Sequence, residues 1–226
     1  PMPHIQGAFR QDLVADAAQC HVLRDKGPEA GAFAEPLSVV LHGLKRAGDM
    51  MGAQVLVTGC GPIGMLAILA LKRAGAAKIV ATDVAAAALA RATEIGADQV
   101  INIMADPGAL SAYGANKGTF DAMFECSGAP QAVGAGLEAL RPGAVLVQLG
   151  LGGDASFPVN LLVSKEIEMR GSFRFHHEFA HAVQMIDRGE IDPMPLLSHS
   201  FGIDDAVAGF DMALDKSAAM KVQITF

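Results

Sequence analysis

The chain has too few cations, too short apolar runs and too few cysteines to suit a nucleic acid, a bilayer or a disulfide framework. There are 17 lysines and arginines against 24 acids, a net charge of -7. A phosphate backbone is gripped by a basic face, and no cationic cluster here exceeds Lys45-Arg46 or Lys72-Arg73. No nucleic-acid partner is expected. The longest apolar run, around Ile63 to Leu71, falls far short of the roughly 20 residues that cross a bilayer, so no membrane partner is expected either. The three cysteines, Cys20, Cys60 and Cys126, are odd in number and contain no C-x-x-C pair. That usage suits a reducing cytoplasmic compartment and excludes a cysteine-rich structural zinc site within this chain. Each thiol is left the role of a small core hydrophobe. There is no internal repeat, and the only biased tract is the alanine-rich stretch at 84–92.

What is present is apolar surface and glycine. Hydrophobic residues make up 51% of the chain, ample for a core. The run Gln54-Val55-Leu56-Val57-Thr58 leads into Gly59-Cys60-Gly61-Pro62-Ile63-Gly64 and then into the helical stretch Met65 to Arg73. In this context G-x-G-x-x-G has a mechanical meaning: a tight strand-to-helix turn, close approach of backbone amides to a pyrophosphate, and close helix–strand packing. The pyrophosphate would sit on the positive end of the helix. About 20 residues beyond the last glycine, where a dinucleotide fold places its ribose-binding acid, a second strand-like run ends in Asp83. A carboxylate there accepts from both ribose hydroxyls and repels a 2′-phosphate, and no cation follows until Arg91, so NAD is favoured over NADP. The same glycine spacing occurs in methyltransferases, and a tight turn beside a solvated acid is the plainer account of it.

Six short β-rich runs alternate with helical stretches: Gln54 to Gly59, Lys78 to Asp83, Gln99 to Asn102, Phe120 to Glu125, Ala144 to Leu149 and Glu168 to Phe173. This order predicts an α/β fold, a doubly wound parallel six-stranded Rossmann sheet. Turn chemistry falls at its boundaries, with Gly75 and Gly96 after helices, Pro130 opening one, and Arg141-Pro142-Gly143 before a strand. The ends do not close this domain. Met220 to Phe226 alternates apolar and polar residues, the pattern of a strand with one buried face, and residues 4–34 carry too few apolar groups for a core of their own. Both ends are expected to be pieces of a second, β-rich domain whose main part is absent.

With the glycine loop and Asp83 joined by Ala34-Glu35-Pro36-Leu37-Ser38-Val39 and Gly171-Ser172-Phe173-Arg174-Phe175, the chain resembles the zinc-dependent medium-chain alcohol and polyol dehydrogenases. The resemblance runs from about His4 to Phe226. It implies an oxidoreductase that transfers hydride between a polyol or sugar-acid hydroxyl and NAD, with zinc in the intact protein. The zinc ligands would come from an amino-terminal chaperonin-10-like catalytic domain, whose motifs are not here, so this chain alone is expected to bind cofactor without turning over. The implied division is a catalytic-domain remnant at 1–35, the NAD-binding domain at 36–175, and a segment at 176–226 returning to the catalytic domain. By the same resemblance Gly59, Gly61, Pro62, Ile63, Gly64 and Asp83 bind cofactor, while Leu149, Gly150, Leu151, Phe173 and Arg174 line its remaining path. Glu35 is implied to lie beside the zinc, as an intermittent ligand or substrate contact, and Arg174 and Phe175 to touch substrate. A relative's arginine five residues after the ribose acid is replaced here by Ala88.

Ordinary accounts stand beside these. Pro36 suits the first position of a helix, so Glu35 would stabilise that helix's positive end without any metal. Ser127, after the fourth strand, is a cofactor contact or a turn hydroxyl. His177 and His181 are one helical turn apart, but an amphipathic helix explains them and no third ligand is spaced to join them; His42 reads as a packed helix residue. Pairing through the last strand, Met169 to Phe175, would give a homodimer or homotetramer, as relatives are built. Another polyol or alcohol dehydrogenase of the same branch or, from a different class, a stand-alone NAD-binding regulatory module would carry the same motifs.

Overall fold

A computed structural model describes residues 7–154, 156 and 158–226; His4, Ile5 and Gln6, where the resemblance begins, lie outside the described residues. Six strands, β1 (Gln54–Thr58), β2 (Lys78–Asp83), β3 (Gln99–Asn102), β4 (Phe120–Glu125), β5 (Leu140–Gln148) and β6 (Glu168–Gly171), form one parallel sheet in the order β3-β2-β1-β4-β5-β6. The chain winds outward from β1 in one direction and from β4 in the other, so the switch point lies between these two strands, where such folds open a ligand crevice. The central strands read as continuous apolar runs because both faces are covered. Val55, Leu56, Val57, Met123 and Phe124 are fully buried.

The helices are α1 (Pro28–Gly31), α2 (Ala34–Ala47), α3 (Pro62–Arg73), α4 (Ala86–Glu94), α5 (Pro130–Ala139), α6 (Val159–Ser164), α7 (Glu178–Asp187) and α8 (Ala206–Leu214). One face of the sheet packs α2, α3, α4 and α7, with Leu37, Val40, Leu66, Ile68, Ala182 and Ile186 in its core. The other packs α5 through Val133 and Leu137 and α6 through the half-buried Leu161 and Leu162. The α5 carboxyl end has no glycine cap. Instead buried Lys165 reaches in and donates to the carbonyls of Leu137, Glu138 and Leu140 at 3.2, 2.7 and 2.8 Å, a cation on the negative end of a helix. Burial lowers its pKa.

Three boundaries differ from expectation. β5 begins at Leu140, because Arg141-Pro142-Gly143 is absorbed as an irregularity in the ladder between Phe120 and Ala122 rather than standing outside it. β6 ends at Gly171, because the chain turns out of the sheet and Arg174 takes a left-handed φ of 57°. α2 begins at Ala34, two residues before Pro36; proline still fits, since all amides of a helix's first turn lack intrahelical partners.

The tail strand joins a second, two-stranded sheet. β8 (Lys221–Thr225) pairs in parallel with β7 (Leu197–Gly202), and α8 crosses between them. Lys221, Val222, Gln223 and Ile224 are all half-buried rather than alternating, because β8 has a single neighbouring strand and α8 covers only one side of the pair. Gln223 ties the unit back to α1 by a 2.7 Å bond to the Glu29 carbonyl.

Candidate functional site

The carboxyl ends of β1, β2, β4 and β5 converge on the glycine loop. Gly59 holds a φ of 86°, and a Cβ on it would lie 2.8 Å from the Ser127 backbone. A Cβ on Gly64 would fall 1.8 Å from the Gly59 carbonyl oxygen. The loop therefore closes on itself and opens α3 through Gly61 and Pro62, whose first intrahelical bond is Met65 N–H to the Gly61 carbonyl at 2.9 Å. Ahead of that bond stand the amides of Ile63 and Gly64 at the positive end of a 12-residue helix, an anion cradle by construction.

Asp83 closes the loop from the side. Its Oδ2 accepts from Cys60 N–H at 2.6 Å, and its Oδ1 accepts from Val84 and Ala85 N–H at 2.7 and 2.9 Å. A half-open cleft of about 390 Å³ runs from Thr58, Gly59 and Asp83 past Ile103, Leu110 and Ser127 to Ala132 and Ala135. It is apolar along its walls with a carboxylate at its rim, the form that suits a flat aromatic base carried on a ribose. Burial and the Asp83 charge push the Cys60 thiol up to about 12, and burial with the Glu125 charge raises the Cys126 thiol as well. In both, burial favours the thiol over the nucleophilic thiolate.

A buried carboxylate that the sequence reading passed over braces the switch point. Glu125, at the end of β4, accepts from Ser127 N–H at 2.9 Å, Gly128 N–H at 3.0 Å, Gln148 Nε2 at 2.6 Å, Thr58 Oγ1 at 3.3 Å and the Ser127 hydroxyl. Its carbonyl takes the Leu149 and Gly150 amides. One residue thus fixes the loops after β4 and β5 against β1. The available signal was an acid ending the apolar run Ala122-Met123-Phe124 and followed by Cys126-Ser127-Gly128.

Of the expected site residues, Gly59, Gly61, Pro62, Ile63, Gly64, Asp83 and Ser127 come together here, although the exposed Ser127 hydroxyl is committed to Glu125. Gly150 follows β5 beside them. The Leu149 side chain faces α2, 3.1 Å from where a Cβ on Gly43 would be, while Leu151 is 82% exposed. Phe173, Arg174 and Phe175 follow β6; the Arg174 guanidinium lies over the Phe173 ring, 5.2 Å from its centroid. Because Gly43 meets Leu149 and the Arg46 carbonyl accepts from Arg170, α2 runs antiparallel to the strands. Exposed Glu35 lies in the first turn of α2, eight residues before Gly43.

Zinc does not fit this chain by itself: among the described residues no group of three or more His, Cys, Asp or Glu side chains could hold a metal ion. His177 and His181 flank the start of α7 without a third ligand. His42 packs 3.5 Å from the buried Glu178 carboxylate. Among the described residues no helix is long and apolar enough to cross a membrane.

A doubly wound sheet with this glycine loop at its switch point defines a dinucleotide-binding type of α/β domain, and the family model for zinc-binding dehydrogenases matches residues 62–188. The chain belongs to that family. Among its relatives, the L-idonate 5-dehydrogenase (NAD(P)(+)) of Escherichia coli (strain K12) is 42% identical over 226 residues, 99% of this chain and 65% of the relative. Human (Homo sapiens) sorbitol dehydrogenase is 35% identical over 214 residues, 92% of this chain and 60% of the relative. The solved structure of L-idonate 5-dehydrogenase from Escherichia coli superposes with a TM-score of 0.94 at 41% identity, covering 100% of this chain and 65% of that one. The chain thus spans under two thirds of the length of these relatives.

Proposed function

We propose that this chain is the cofactor-binding part of an NAD-dependent dehydrogenase acting on a polyol or sugar acid. The observation that carries the reading is the Gly59–Gly64 loop, folded against Asp83 at the mouth of the apolar cleft. In this reading the α3 amino end takes the pyrophosphate, the Asp83 carboxylate takes the adenosine ribose hydroxyls, and the cleft takes the adenine. Gly150, Leu151 and Phe173 line the path toward the nicotinamide, which when bound supplies a two-electron acceptor. Arg174 offers a cation at the sheet's carboxyl edge to a substrate hydroxyl or carboxylate, with Phe175 beside it. Glu35 faces the same side from α2, where zinc chemistry in the intact protein would be supplied by ligands outside the described residues.

The proposed division keeps 1–35 and 176–226 as segments that meet the catalytic domain, around a cofactor domain at 36–175. A homodimer or homotetramer is proposed through the open edge at β6, where Met169 is 41% exposed, in a cytoplasmic protein; light scattering that gives a monomer at high concentration overturns the assembly. The test of function is a parallel titration with NADH and NADPH, followed by nicotinamide fluorescence. Tight NADH and weak NADPH binding, with no polyol-dependent NADH production by the chain alone, is the expected result. Binding of neither overturns the reading of the glycine loop.

A further inference from the structure

The loop from β6 to α7 carries Arg174 and is anchored by a side chain outside the proposed contacts. At its start, Ser172 N–H donates to the Gln148 carbonyl at 2.9 Å. At its end, His176 N–H donates to Glu178 Oε2 at 2.7 Å. The other oxygen of that carboxylate, Oε1, takes Lys45 Nζ of α2 at 2.8 Å and faces His42 Nδ1 at 3.5 Å. Glu178 is itself only 3% exposed, and His42 and His176 pack ring to ring at 5.3 Å. A carboxylate buried to this degree is costly unless its oxygens are taken up by donors, so burial, hydrogen bonds and ion pair agree on one position for it. Between the two anchors Arg174 holds a left-handed φ of 57°, a conformation that costs a non-glycine residue free energy and persists when the surroundings enforce it.

We propose that Glu178 is a positioning residue: by clamping the His176 amide to α2 through Lys45, it holds the loop closed so that Arg174 presents its guanidinium at the carboxyl edge of the sheet. This rests on the reading of Arg174 as a substrate contact. Glu178 touches no reacting group and acts only through the loop. Lys45 supplies the outer half of the clamp from a side chain 57% exposed, so the clamp is weaker on that side than at the buried amide.

The test has two arms. In this chain, hydrogen exchange of the segment 172–177 is compared between wild type, Glu178→Gln and Lys45→Met. Glu178→Gln keeps the shape of the side chain but turns one acceptor into a donor. It is expected to speed exchange of the His176 amide by about tenfold or more, with β1 and α3 unchanged and Lys45→Met intermediate. In the complete dehydrogenase the same variants are assayed with polyol and sugar-acid substrates. The substrate KM is expected to rise about tenfold in Glu178→Gln, with kcat within about twofold, the signature of lost substrate positioning rather than lost chemistry. Unchanged exchange in 172–177 overturns the clamp, and faster exchange with an unmoved KM overturns its link to the site. If wild type turns over none of these substrates, the proposed function falls while the exchange arm still decides the clamp. If Glu178→Gln unfolds the chain, Lys45→Met carries both readouts at smaller amplitude, and no effect there overturns the proposal.

Discussion

The six-stranded sheet and the β7–α8–β8 unit follow the same parallel rule and reach opposite degrees of burial. In the sheet, β1 and β4 are sealed by helices on both faces, and α3 is buried along most of its length at Met65, Leu66, Ala67, Ile68, Ala70 and Leu71. In the tail unit, β8 has no fully buried residue, and α8 leaves Val207 76%, Phe210 55% and Leu214 80% exposed. A parallel strand is stable where both its faces are covered. The first unit meets that condition from its own sequence. The second meets it on one side only, where Gly209 of α8 lies close against Ile224 and Phe201.

Substitutions at matched positions break this comparison or sharpen it. The largest effect is expected at the switch point: Gly64→Val drives a side chain into the Gly59 carbonyl, and NADH affinity measured by fluorescence should fall about a thousandfold or more, about 4 kcal/mol. In the sheet unit Leu66→Ala should cost about 3 kcal/mol in urea unfolding. The Glu178 clamp has a pH signature. Hydrogen bonds from Lys45 and the His176 amide outweigh burial and hold its carboxyl down at about 2, against an ordinary 4.5. A carboxyl depressed on folding stabilises fully above its unfolded value and loses that stabilisation as pH falls through the folded one. Wild type should therefore exceed Glu178→Gln by about 1–2 kcal/mol above pH 5, a margin screened by the exposed Lys45, and the margin should vanish as pH falls toward 2. Asp83→Asn should lower the NADH-to-NADPH affinity ratio about tenfold, near 1.4 kcal/mol. In the tail unit, Leu214→Ala should stay within about 0.5 kcal/mol of wild type. A cost there as large as that of Leu66→Ala would show that the two units do not differ.

The sequence made the sheet legible because its central strands carry continuous apolar runs and its elements are separated by Gly and Pro signals, and β2, β3 and β4 fall at the expected residues. The glycine loop and Asp83 were legible because their chemistry is local in sequence. Glu125, Glu178 and Lys165 were not. Each is a charge in an unremarkable context, and its role depends on partners 23 to 133 residues away, a kind of pairing that no window of residues displays. The tail strand was visible as an alternation, but β7 was not, because Leu197-Ser198-His199-Ser200-Phe201 lacks the β-branched residues that mark a strand. The left-handed turn at Arg174 likewise carries no glycine to announce it.

The hydrogen bonds of Asp83 bear on how such a protein changes over evolutionary time. The carboxylate proposed to select the cofactor is also the group that holds the Cys60 amide and shapes the glycine loop. Selectivity and scaffold are therefore inherited together at this position. A lineage that exchanges Asp83 to accept a different nucleotide must keep an acceptor for that amide, from the new side chain or from a neighbour, so the replacements open to it are constrained by the loop as well as by the ligand.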